Sequence, residues 1–361
     1  MNNTRIEKML AELARVCKPL GEVQIMEVCG THTVSLFRTG VKSLLPTNVK
    51  LVSGPGCPVC VTSQGYIDAA CALAQRPGVI IATYGDMVRV PGSAGSLADR
   101  RAGGAEVAVV YSTRDALALA RQNPDSKVVF LAVGFETTTP PTAAAVLEAG
   151  QAGLENFFIL AGHKLVIPAM EILLSSGDVP IDGFLCPGHV SVIIGSDAYR
   201  PIVERFAKPC VVAGFEAENM VEAILHICRQ VAAGLAEVQN VYGTAVTAEG
   251  NAAARAITEK VFTPGPALWR AMGELPASGL DLRDEYKSFD ALEHFDISIG
   301  PDVCPPGCLC GEVIQGKADP ADCPLFAKTC TPLEPVGPCM VSSEGTCAAW
   351  YKYNRQVGNR Q

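Results

Sequence analysis

Between residue 22 and about residue 235 the sequence repeats one unit several times: a short apolar run, a glycine-rich turn and an amphipathic stretch. Apolar runs this short, bounded by turns, read as strands buried on both faces, and the helical stretches between them act as crossover connections. That grammar restricts the chain to α/β folds built on open parallel sheets. The spacing predicts strands over 23–28, 49–52, 79–84, 107–111, 128–133, 157–160, 184–185 and 211–213. Gly134-Phe-Glu136 and Gly214-Phe-Glu216 each follow an apolar strand directly, as do Ala161-Gly-His163 and Pro187-Gly-His189. Such echoes hint at reuse of similar βα units.

The cysteines are distributed unevenly. Seven of the fifteen fall in the last 58 residues, at Cys304, Cys308, Cys310, Cys323, Cys330, Cys339 and Cys347, and three more, Cys29, Cys57 and Cys60, stand in glycine-flanked turns near the start. Four thiolates suit zinc or an iron-sulfur cluster. Zinc sites of four cysteines usually show C-x2-C knuckles, which the tail lacks, and the spacings from Cys323 to Cys347 favour a cubane-type cluster over zinc or free thiols. The tail also lacks the C-x3-C-x2-C pattern of radical S-adenosylmethionine chemistry. Cys57-Pro-Val-Cys60 precedes a helical stretch expected near Thr62, where the helix dipole lowers thiol pKa values; the pair reads as a dithiol/disulfide couple or as two metal ligands.

Cys29 lies between a strand and a helix in Cys29-Gly-Thr-His-Thr33, with Thr31 and Thr33 as candidate caps. Such a thiolate binds a soft metal, although many strand-end cysteines are simply buried. In Gly134-Phe-Glu-Thr-Thr-Thr-Pro-Pro141 a threonine is expected to cap the next helix, whose start presents N–H groups to an anion. His163 and His189 either line a site or bond a backbone group. Cys17, Cys71, Cys186, Cys210 and Cys228 fall in helix or strand patterns and read as packing residues.

Composition excludes several classes. Charged residues make up 18% and apolar ones 48%, no apolar run approaches the about 18 residues of a membrane span, and the charged N-terminus lacks a signal-peptide core. Net charge is −8 with no Lys/Arg-rich run, so no nucleic-acid footprint is present. The expected location is the cytoplasm, with no membrane association, and there thiols serve as ligands and redox couples rather than as a disulfide framework.

At 361 residues the chain exceeds one ordinary core. We expect two doubly wound, Rossmann-like α/β domains facing a central cleft, plus a small C-terminal cysteine-rich iron-sulfur domain. The expected limits are 1–120, 121–262 and 263–361, dividing near 115 to 125 with room for the chain to cross back near 240. A further helix is expected over 250–262, after which Pro264, Pro266 and Pro276 interrupt regular structure. Open parallel sheets bind ligands beyond the carboxyl ends of their strands. Cys29, Cys57, Cys60, Glu136, His163, His189 and Glu216 all lie just past such ends, which places them at a shared cleft.

Cys29-Gly-Thr-His-Thr33, Gly54-Pro-Gly-Cys-Pro-Val-Cys60, Gly134-Phe-Glu-Thr-Thr138, Pro187-Gly-His-Val190 and Cys339-Met-Val-Ser-Ser-Glu-Gly-Thr-Cys347, in that order, closely resemble the HypD family of hydrogenase maturation proteins. The resemblance implies a scaffold on which the Fe(CN)2CO group of [NiFe]-hydrogenase is assembled, with HypC as partner and HypE as transient cyanide donor. It implies that Cys29 holds the iron, that Cys57 and Cys60 form a redox-active pair, and that Cys323, Cys330, Cys339 and Cys347 ligate a [4Fe-4S] cluster. Cys304, Cys308 and Cys310 remain as extra thiols. Cys57, Cys60, His32 and Glu136 are the candidate catalytic residues. The competing expectation is a stand-alone iron-sulfur thiol-disulfide oxidoreductase, which has no need of Cys29-Gly-Thr-His32.

Overall fold

A computed structural model describes residues 3–354 of the chain. Nine parallel strands form two sheets: β1 (Val23–Glu27), β2 (Val49–Ser53), β3 (Val79–Thr83), β4 (Glu106–Val109), β5 (Lys127–Gly134), β6 (Phe157–His163), β7 (Gly183–Pro187), β8 (Cys210–Ala213) and β9 (Val238–Asn240). The first sheet has the order β2-β1-β7-β8-β9 and the second β4-β3-β5-β6. In β1, β3, β7 and β8 every residue is buried. That accounts for their near-continuous apolar sequences, because crossover helices cover both faces of a parallel sheet.

The expected α/β architecture is present, and each of the eight predicted strands coincides with an observed one. The sheets do not divide the chain at 115–125, however. β4 and β5 lie on either side of that point and belong to the same sheet, both paired to β3. The chain leaves the first sheet after β2, builds the whole second sheet, and returns at β7, which pairs with β1 through Ile25↔Gly183 to Glu27↔Leu185. The chain thus returns to the first sheet by residue 183, and after β9 it crosses once more, to helix Ala252–Val261 packed on helix Thr139–Gln151 of the second sheet. Periodicity identifies strands but carries no record of their neighbours, which long-range pairing decides.

The prolines do not end regular structure. β10 (Phe262–Trp269) and β11 (Gly273–Leu282) form an antiparallel hairpin with an irregularity between Gly265 and Ala267. The outer edges of this ribbon are bridged only locally, Trp269 by Thr62 and Gly279 by Lys164, so Pro264, Pro266 and Pro276 fit where a central strand would reject them.

On the outer face of the first sheet, helices Asn3–Cys17 and Ala217–Ala233 bury Leu13, Cys17, Ile224 and Cys228 against Val23, Ile25, Leu185 and Val211. The second sheet covers Phe130 and Phe157 with helices Thr113–Gln122 and Thr139–Gln151 and with the hairpin. Each fully buried side chain of this size contributes about 1.5–3 kcal/mol relative to its exposed state. A third core joins the facing sides of both sheets to the tail, and it includes Cys57, Cys60, Cys310, Cys330, Cys339 and Cys347. Among the described residues no helix is long and apolar enough to cross a membrane.

Candidate functional site

The site begins where β1 and β2 end. Cys29 follows β1 in extended conformation (φ −155°, ψ 120°) and starts the helix Gly30–Arg38. The loop after β2 crosses it backbone to backbone: Gly30 N donates to Gly56 O at 3.2 Å and Gly54 N to Glu27 O at 2.7 Å. A Cβ on Gly56 would stand 2.2 Å from Cys29 N, so glycine there is required by the close approach of the two loops.

Cys57 caps the single turn Pro58–Val61, its sulfur accepting from Cys60 N at 3.3 Å, and Cys57 and Cys60 form a disulfide with Cα atoms 5.2 Å apart. The helix expected near Thr62 is a separate one, Gln64–Ala74, capped by Ser63.

A cleft of about 330 Å³ opens between the carboxyl ends of the two sheets. Cys29, Gly56, Pro58 and His189 line it from the first sheet, and Tyr84, Gly134, Phe135 and Thr138 from the second, with Glu344 of the tail at its edge. Burial pushes the Cys29 thiol up to about 11, with the Glu344 carboxylate adding to the rise. His32 is fully buried. Its Nε2 lies 3.1 Å from Gly214 O, Nδ1 has no partner, and desolvation holds the imidazole down at about 4, hence neutral at pH 7. Phe215 packs between His32 and His189, with ring centroids 4.8 and 4.1 Å away.

Glu136 stands behind the cleft wall. Its Oε1 accepts from Val166 N at 2.9 Å and Oε2 is buried without a partner, and desolvation raises the carboxyl to about 7. His163 is not in the cleft. It lies in a cavity of about 260 Å³ below the hairpin beside Lys164, and its Nε2 is 3.4 Å from Thr142 Oγ1. Glu216 is exposed at the start of helix Ala217–Ala233. Thr138 stands at the N-cap of helix Thr139–Gln151 with proline in the first turn, as expected, but the threonine hydroxyls make no capping bonds: Thr138 Oγ1 donates back to Phe135 O, Thr33 Oγ1 to Cys29 O, and Thr31 Oγ1 to Glu344 Oε1 at 2.6 Å.

The tail brings its own cysteines to one place. Cys308, Cys310, Cys323, Cys330, Cys339 and Cys347 line a common small void with Phe326 and Met340. Backbone N–H groups of Val336 and Cys347 point at Cys330 Sγ (3.4 Å) and Cys339 Sγ (3.2 Å). Hydrogen bonds of this kind favour thiolates. Cys310 beside it holds the Cys308 thiol down at about 6, and Cys347 lowers that of Cys339. The donor chemistry fits a thiolate-bound centre. Among the described residues no three His, Cys, Asp or Glu side chains already stand as a finished metal site, so the sulfurs form a shared wall rather than a closed coordination sphere.

This wall abuts the disulfide, because helix Pro338–Val341, carrying Cys339, packs on Pro58–Val61. It also abuts the Cys29 loop: a Cβ on Gly30 would lie 2.5 Å from Glu344 O. Asp86 completes the contact, accepting from Ser342 Oγ at 3.0 Å.

A family model described as HypD, hydrogenase formation hypA family, matches residues 4–354. The chain belongs to the HypD family. It is 46% identical over 356 residues to hydrogenase maturation factor HypD of Azotobacter vinelandii, covering 97% of this chain and 94% of that protein. The factor of the same name from Cupriavidus necator is 45% identical over 357 residues, 97% and 94% of the two chains. That of Escherichia coli K12 is 45% identical over 335 residues, 92% and 90%.

Within this HypD-family site, several residues carried no signal in the sequence. Glu344 sits inside a tail motif but reaches the front half of the chain through Thr31. Arg270, in the turn of a hairpin read as irregular, is buried beside both cysteine groups. Cys308 and Cys310 join the wall, whereas Cys304 is exposed and stays outside it. A close C-x-C spacing was the one available hint.

Proposed function

We propose that this protein is a maturation scaffold for [NiFe]-hydrogenase, on which the Fe(CN)2CO group is assembled. Cys29 holds the iron together with ligands from HypC, and cyanide arrives from a thiocyanate carried by HypE. One observation carries this reading: Cys29 and the turn around the Cys57/Cys60 pair, through Gly56, Pro58 and Val59, line one cleft, and the tail that carries the cysteine wall packs on both through Glu344 and helix Pro338–Val341.

In the reduced state two thiols, Cys57 and Cys60, supply two electrons and two protons. The S–CN bond of the carrier breaks, the carrier leaves as a thiol, hydrogen cyanide is released toward the iron, and the Cys57–Cys60 bond forms. Cys323, Cys330, Cys339 and Cys347 would hold a [4Fe-4S] cluster, which would supply single electrons for re-reduction of the pair. The Glu136 carboxyl, raised to about 7 behind the cleft wall, is able to hold a proton near neutral pH, whereas His32, neutral there, fixes the Cys29 turn against Gly214 O. The apolar lining from Val28, Val133 and Phe135 keeps water from the iron.

A stand-alone thiol-disulfide oxidoreductase would use the same dithiol, but it has no need of a further thiol, Cys29, lining the cleft beside that pair. The test is anaerobic copurification with HypC followed by infrared spectroscopy. Bands of bound CN and CO on the wild-type complex, lost in Cys29→Ala, support the scaffold. Disulfide turnover without such bands supports the reductase. Cofactor assembly left intact by Cys57→Ala removes the relay from the mechanism.

A further inference from the structure

Arg270 is 1% exposed, and its Nη1 and Nη2 have no hydrogen-bond partner. A guanidinium does not shed its proton in proteins, so this is a permanent buried charge, and such a charge is costly without a counter-charge. Its position is fixed from both sides. Arg270 N donates to Val61 O at 2.9 Å and Nε to Thr62 O at 2.8 Å, the two residues that follow Cys60. On the other side the next residue, Ala271, is packed so closely on the helix Cys310–Ile314 that a Cβ on Gly311 would meet the Ala271 Cβ at 2.2 Å, and Gln315 Nε2 donates to Ala271 O at 3.1 Å. The turn of the hairpin is thus wedged between the disulfide helix and the helix that begins the cysteine wall. The guanidinium lies within electrostatic reach of Cys304, Cys308 and Cys310.

We propose that Arg270 is the counter-charge of the cysteine wall, a positioning residue that offsets the negative charge of a thiolate-ligated iron-sulfur centre there and raises its reduction potential toward that of the adjacent dithiol. This rests on the reading that the wall holds such a cluster. Four thiolates leave a cluster net negative, and a nearby positive charge favours the form with one more electron.

The test compares anaerobically reconstituted wild type, Arg270→Met and Arg270→Lys by redox titration followed in the visible and by EPR, with thermal melts of the metal-free proteins. Arg270→Met is expected to make one-electron reduction at least tenfold less favourable, which is about 59 mV. Arg270→Lys, which keeps the charge, is expected to stay within about threefold of wild type. Metal-free Arg270→Met is expected to melt no lower than wild type, since an apolar side chain of similar size replaces an unpaired buried ion. A loaded Arg270→Met with the wild-type potential overturns the proposal, as does a Lys variant shifted as far as the Met variant. A metal-free Met variant that melts well below wild type assigns the guanidinium to the fold and also overturns it. A wild-type protein that loads no cluster removes the functional reading itself, which the first three outcomes leave standing.

Discussion

Thr31 Oγ1 donates to Glu344 Oε1 at 2.6 Å, joining residues 313 positions apart. One belongs to the loop that carries Cys29 and the other to the segment between Cys339 and Cys347. The bond fastens the tail to the first sheet at the point where the Cys29 loop leaves it.

A hydrogen bond to a carboxylate is worth about 1.5–3 kcal/mol when shielded and less when half-exposed. Thr31→Val and Glu344→Ala are each expected to cost about 1–2 kcal/mol, and the double variant less than their sum. Chemical denaturation of the four proteins measures this. Full additivity would mean the two side chains do not interact in solution.

Gly56 meets Cys29 and Val28 through backbone atoms, with a Cβ only 2.2 Å from Cys29 N, so no side chain can swing away to make room. Gly56→Ala is expected to cost roughly 3 kcal/mol or more and to displace Cys29. Gly243→Ala, where nothing lies within 4 Å, is the matched control and is expected to be neutral. Equal melting temperatures for the two variants would contradict the packing described.

His163 is held down at about 3 and His32 at about 4 by burial. Their stabilising effect is complete above the ordinary histidine value of 6.5 and is lost as pH falls through the folded values, because only the unfolded chain takes up the proton. Glu136 acts in the opposite sense. Raised to about 7, it lowers stability as pH climbs from 4.5 to about 7, when the unfolded carboxyl ionises first. Each shift corresponds to about 3 kcal/mol or more. His163→Gln is expected to soften the acid limb of the stability curve, and Glu136→Gln to flatten the slope between pH 4.5 and 7. Unchanged curves in denaturation series across pH would refute these assignments.

Cys29, pushed up to about 11, is protonated at neutral pH. Metal binding there must release a proton, so affinity for ferrous iron is expected to rise about tenfold per pH unit between about pH 6.5 and 8.5. Anaerobic titrations with wild type and Cys29→Ser check this; a pH-independent affinity would mean that another group binds the iron.

The α/β class was legible because buried parallel strands such as β1 and β3 are apolar throughout and their turns are rich in glycine. Cys29 and the Cys57/Cys60 pair were legible for the same reason, since they lie just past strand ends. Sheet membership was not, because Val79–Thr83 and Val49–Ser53 look alike in sequence yet join different sheets. The hairpin was hidden by prolines that an edge tolerates. His163, which shares its strand-end position with His189, was drawn beneath the hairpin by that same unrecognised element. Arg270 bonds to Thr62 and Glu344 to Thr31, each on chain hundreds of residues away, and no local pattern encodes those contacts.

The most direct test of the convergence of sulfurs is Mössbauer spectroscopy on protein loaded anaerobically with 57Fe, compared with Cys339→Ser and with Cys71→Ser as a packing control. A [4Fe-4S] signal in wild type and Cys71→Ser that is lost or altered in Cys339→Ser is the expected result. Wild-type protein that takes up zinc alone, or iron whose signal is indifferent to Cys339, would contradict it.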